Sequence, residues 1–135
     1  MLLLSCKQTC GINAVAIYKD GYLVSKSVSR LPKEIGLYGA YIEGFKRAFS
    51  HLRLYVERNN TDHVVIECNN TVFTNWLRKG VPSKGFEKPF AEMWKELDKI
   101  PVMYSLIHSK TVKAGIYAKG SELKESKLES LEVGE

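Results

Sequence analysis

Glu67 and Asn69 stand two residues apart in a run that reads as a strand, so both side chains point to one face and could offer oxygens to a single cation. Glu34 sits one turn ahead of Leu37, and Glu43 follows further along the same run. A hard divalent ion requires several anionic oxygens. Asn69 supplies one carbonyl, Ser5 one hydroxyl and Leu37 nothing, while His108 and Lys110 do not bind magnesium. A metal site would therefore need Glu67, Glu34 and Glu43 drawn together; ordinary surface or capping carboxylates are the simpler reading. The other notable cluster is cationic: Arg78, Lys79, Lys84 and Lys88, with Trp76 and Phe86 interleaved. Its plain reading is rings that anchor a core and lysines that keep the surface solvated.

Lys and Arg total 20 against 15 Asp and Glu, a charge of +5, which biases the chain mildly toward polyanions. With 135 residues, 44% hydrophobic and 26% charged, one domain can bury a core without staples. Cys6, Cys10 and Cys68 are odd in number and lack zinc spacing, so idle thiols in a reducing cytoplasm are expected. Leu3-Leu4-Ser5-Cys6 resembles a lipoprotein box without the basic segment that should precede it. The sequons at Asn59 and Asn69 carry no weight without export. No apolar run approaches the roughly 20 residues that span a bilayer.

The elements follow from periodicity. Met1 to Ser5 is a short apolar run, Ile12 to Tyr18 is rich in small and β-branched residues, and Lys19-Asp20-Gly21 signals a hairpin into Tyr22 to Ser29. In that third strand Leu23, Ser25, Ser27 and Ser29 share a face, against Val24, Lys26 and Val28. Leu37, Tyr41, Phe45, Ala48, Phe49, Leu52 and Val56 recur at helical spacing, which predicts a helix from about Gly36 to Asn59. Lys46, Arg47, Arg53 and Arg58 lie off its apolar stripe, as a solvated face would. His63 to Cys68 reads as a buried strand, Thr71 to Arg78 as a helix, Lys79 to Pro89 as a loop, Pro89 to Ile100 as a helix and Val102 to Ile107 as a strand. From Ser121 the chain is polar with spaced leucines. The expected division is a domain over 1–120 and a tail over 121–135, helical or flexible.

The order βββ-α-β-α-α-β resembles the ribonuclease H family, and local motifs agree. Asn13 to Gly21 looks like its second and third strands. Leu37-Tyr38-Gly39-Ala40-Tyr41-Ile42-Glu43-Gly44-Phe45 is similar to its helix motif E-Y-x-A-L-I-x-G-L, with Leu37 where the Glu belongs. Asn69-Asn70-Thr71-Val72-Phe73 resembles D-S-x-L-V, with Asn69 in place of Asp. Met93-Trp94-Lys95-Glu96-Leu97-Asp98 resembles L-W-x-x-L-D, and Ile107 to Lys110 stands in the place of V-x-G-H.

The resemblance implies an α/β fold: a mixed five-stranded sheet, three antiparallel strands then parallel ones, flanked by helices. It also implies that the metal-binding carboxylates are replaced by Ser5 (or Cys6), Leu37, Asn69 and Ser121. The family's reaction uses two bridged divalent ions, so the expectation is a non-enzyme without metal or cofactor. Its function is then to bind structured nucleic acid, duplex or RNA–DNA hybrid, through Arg78, Lys79, Lys84 and Lys88 with Trp76, which resemble the family's basic protrusion, and through Lys110. The alternatives are a protein-interaction adaptor, encoded by a virus or mobile element and engaging a host nucleic-acid-processing complex, and a nuclease with relocated carboxylates.

Overall fold

The structure, a computed structural model, describes residues 1–117. Its elements are β1 (Leu2–Thr9), β2 (Ile12–Lys19), β3 (Tyr22–Arg30), α1 (Leu37–Arg58), β4 (His63–Cys68), α2 (Thr71–Lys79), α3 (Glu87–Asp98) and β5 (Met103–His108). The sheet order is β3-β2-β1-β4-β5, antiparallel over the first three strands and parallel from β1 through β4 to β5. Two tight turns fold the meander. Cys10-Gly11 and Asp20-Gly21 take positive φ at both positions (46° and 77°, 51° and 87°), the twist that joins neighbouring antiparallel strands without splaying them.

β1 runs to Thr9, past the apolar run that ends at Ser5, because Cys6 to Thr9 pair with Ile12 to Val15 across the first turn. Ser121 and the tail lie outside the described residues. An irregularity between Ile17 and Tyr18 pairs Ile17 with Ser25 but Tyr18 with Leu23, leaving Val24 as the extra residue. Cross-strand partners share a face. Leu23 therefore joins the Tyr18 face, and strict alternation, which put Leu23 with Ser25, fails at this bulge.

One face of the sheet carries α1, α2 and α3. α1 buries Ile42, Phe45, Ala48, Phe49, Leu52 and Val56 against Leu2, Leu4, Val15, Ile17, Val64 and Ile66, and Phe73, Leu77, Phe90, Met93 and Leu97 close the same core from α2 and α3. Each large side chain so buried contributes about 1.5–3 kcal/mol. Capping fixes α2: Asn70 accepts from Phe73 N–H at 2.8 Å, and Gly80 ends the helix in the left-handed conformation.

His51 on α1 is half-buried, 2.7 Å from Ser25 Oγ on β3. Desolvation holds its pKa below the ordinary imidazole value. The folded state then prefers the neutral ring, so stability is complete above the unfolded value and declines as pH falls through the folded one. Acid titration of unfolding should show this loss, and His51→Gln should remove that component of the pH dependence. An unchanged profile in the variant would contradict it.

Candidate nucleic-acid interface

Ser5 and Glu67 occupy the face of the sheet turned away from α1. Register pairs Leu4 with Ile66, so the next residues, Ser5 and Glu67, stand level on neighbouring strands. Both are buried, at 0% and 4% exposure. Residues 112–117 cross above them. Ala114 N–H donates to Ser5 Oγ and Lys113 N–H donates to Glu67 Oε1, each at 2.7 Å. Buried polar atoms need such partners. Here the partners are main-chain amides, which bind the Glu67 carboxylate in the way a cation otherwise would.

Leu37 begins the helix on the other face and is 61% exposed. It shares the wall of a cleft of about 430 Å³ with Gln8, Cys10, Leu31, Glu34 and Tyr41. Asn69 follows β4, half-buried. Glu43 pairs with Arg47 at 3.0 Å on α1. Glu34, Glu43 and Glu67 are thus divided between the two sides of the sheet, and no three His, Cys, Asp or Glu side chains converge as metal ligands would among the described residues.

Cys6, the alternative to Ser5, faces α1. Asn13 Oδ1 accepts from its thiol at 3.2 Å and Gln8 Nε2 donates to its sulfur at 2.8 Å, while Asn13 Nδ2 donates to Gly44 O at 3.4 Å. Burial pushes the thiol pKa far up, outweighing the hydrogen bond from Gln8. Gly44 lets α1 approach this network, since a Cβ there would come within 2.6 Å of Asn13 Oδ1. Gly44→Ala should therefore cost about 1–3 kcal/mol in denaturant unfolding; a neutral change would show that the network moves aside freely.

Arg78 and Lys79 end α2, Lys84 lies in the loop and Lys88 opens α3, and all four are exposed. None of them is in an ion pair among the described residues. Three cations of α1 contrast with them: Lys46 meets Glu92 at 3.9 Å, Arg47 meets Glu43 at 3.0 Å, and Arg53 meets Glu57 at 3.2 Å, whereas Arg58 at the helix end is exposed and in no ion pair among the described residues. The loop is held by rings, with Phe86 5.5 Å from Trp76 and 6.1 Å from Tyr38 between centroids. The end of α2, the loop and the start of α3 thereby carry the four charges beside rings packed on Tyr38, near the start of α1.

No family model and no curated protein matches the chain. Solved structures do. LC11-RNase H1, isolated from compost by a metagenomic approach and solved in complex with RNA/DNA hybrid, superposes with a TM-score of 0.62 at 14% identity over 80% of this chain and 83% of that one. RNase H1 from the halophilic archaeon Halobacterium salinarum NRC-1 gives 0.61 at 9% identity over 80% and 83%. The N-terminal RNase H domain of a Mycobacterium tuberculosis protein gives 0.53 at 6% identity over 78% and 86%. The fold is that of ribonuclease H.

Within the ribonuclease H fold the residues singled out by sequence fall into separate places. Arg78, Lys79, Lys84 and Lys88 are exposed along the stretch from the end of α2 to the start of α3. Lys110 is exposed but lies beyond β5, after Ser109, whose N–H bonds Cys68 O at 2.9 Å. Trp76 is not on the surface: it is 7% exposed and packs 4.9 Å from Tyr38, so the expectation that it meets nucleic acid gives way to its alternative as a core ring. Lys7, Lys26 and Lys113 escaped the sequence reading. Lys7 follows the point where the first apolar run ends, and Lys113 comes from a stretch without periodicity. Lys26 alone had a signal, in its alternation with Val24 and Val28.

Proposed function

We propose that this protein is a non-catalytic ribonuclease H-fold module that binds duplex or RNA–DNA hybrid backbone through Arg78, Lys79, Lys84 and Lys88, with Lys110 as an outlying contact. The observation that carries the reading is the contrast between these exposed cations, in no ion pair among the described residues, and Lys46, Arg47 and Arg53 of α1, each of which meets a carboxylate. A charge without a protein partner is available to a phosphate, and such contacts read the backbone, not the bases. The hybrid bound to LC11-RNase H1 supports this class of ligand. The absence of chemistry is supported by the amides of Lys113 and Ala114 on Glu67 and Ser5, and by an aliphatic side chain at Leu37. The cytoplasm is the compartment we assign, on the exposed free thiol of Cys10.

The test is binding of a labelled RNA–DNA hybrid by anisotropy across a salt series. Affinity should fall steeply with salt, by about 0.9 log units per log unit of salt for each phosphate contact. Absence of binding at low salt would refute the proposal. A protein-adaptor role is favoured by the edge strand β5, where Met103 is 76% and Ile107 42% exposed. Retention of a partner after nuclease treatment, by a protein that fails to bind hybrid, would support that second reading instead.

A further inference from the structure

The sheet face away from α1 is both basic and apolar. The described chain lays residues 112–117 over β1 and β2, where Ala114 packs on Ile12, Ala14 and Ala16 with Tyr18 and Tyr117 at the margin. Two lysines lie on those rings: Lys26 Nζ is 5.0 Å from the Tyr117 centroid, and Lys113 Nζ is 5.1 Å from that of Tyr18. The phenol oxygens meet at 3.4 Å, so the two rings and two ammonium groups form one cluster spanning β2, β3 and the crossing segment. Lys7, on β1, borders the same segment beside Gly115.

None of Lys7, Lys26 and Lys113 is in an ion pair among the described residues, and the carboxylate beneath them, Glu67, is 4% exposed and held by Lys113 N–H. Among the described residues, then, no carboxylate at the surface neutralises these cations. Around them stand apolar side chains open to solvent: Val28 at 38%, Ile107 at 42% and Ile116 at 72%. A duplex offers such a face phosphates, sugars and groove edges, but keeps the flat faces of its bases stacked inside. A single strand offers phosphates together with unstacked bases whose flat faces bury apolar and aromatic surface.

We infer that this face binds single-stranded nucleic acid, its phosphates on Lys7, Lys26 and Lys113 and its bases against Tyr18, Tyr117, Val28 and Ile116. The inference extends the nucleic-acid reading to a second surface and a different ligand. In the full chain, K26A/K113A should weaken binding of an oligouridylate of about twelve nucleotides roughly tenfold and leave hybrid affinity unchanged. Charge reversal, K26E/K113E, should deepen the loss, and circular dichroism would establish that both variants fold. Photocrosslinking of a 4-thiouridine oligonucleotide should mark residues 113–117 or Tyr18. Unchanged oligouridylate affinity in both variants, the outcome also expected if another part of the chain or a second copy covers this face, would overturn the inference. Crosslinks confined to residues 78–88 would do the same, and neither result would touch hybrid binding by the protrusion.

Discussion

Replacing Arg78, Lys79, Lys84 and Lys88 together with alanine lowers affinity for an RNA–DNA hybrid by about a hundredfold at moderate salt, and flattens the slope of log affinity against log salt by about three to four. The magnitude follows from four phosphate contacts, each releasing close to one counterion. The four side chains are exposed and in no ion pair among the described residues, so thermal stability should hardly move. Lys46, Arg47 and Arg53 provide the internal control. Each already faces a carboxylate, so their joint replacement should leave hybrid affinity nearly unchanged. Equal losses from the two sets would mean that net charge alone drives binding, without a defined protrusion.

Trp76→Ala removes the ring at the centre of an aromatic cluster. Its indole lies 4.9 Å from Tyr38, 5.5 Å from Phe86, 5.9 Å from Phe73 and 6.4 Å from Phe90. Loss of a buried Trp costs about 3–5 kcal/mol, a large share of the stability of a domain this size. Trp76→Phe keeps part of the packing and should cost well under half as much. Urea unfolding measures both. The same cluster seats Phe86, so the alanine variant should also loosen the basic loop and weaken hybrid binding even where the protein remains folded. Lost affinity with undiminished stability would instead make Trp76 a contact residue, contrary to its burial.

The fold was legible because helical and strand periodicities are strong where one face is buried. Leu37 to Val56 and Val64 to Ile66 announce themselves, and the turn chemistry of Asp20-Gly21 closes the meander. What escaped was tertiary in origin. Cys6 and Gln8 lie past the apolar run that ends at Ser5, and Asn13 opens the next strand, yet a buried polar network joins all three beneath Gly44. The bulge at Ile17 and Tyr18 moved Leu23 to the other face, which alternation cannot reveal. Glu67 was visible as a candidate ligand, but its partner is a main-chain amide forty-six residues on. No pattern of side chains could have signalled that pairing. The lysines over Tyr18 and Tyr117 likewise come from segments far apart in the chain.

The central claim is a nucleic-acid surface kept without hydrolysis, and a labelled RNA–DNA hybrid incubated with the protein and magnesium or manganese tests it most directly. On one native and one denaturing gel, the account predicts a retarded complex whose strands remain full length. Cleaved RNA, abolished by Glu67→Gln, would contradict it, because that carboxylate would then be holding metal in place of the Lys113 amide.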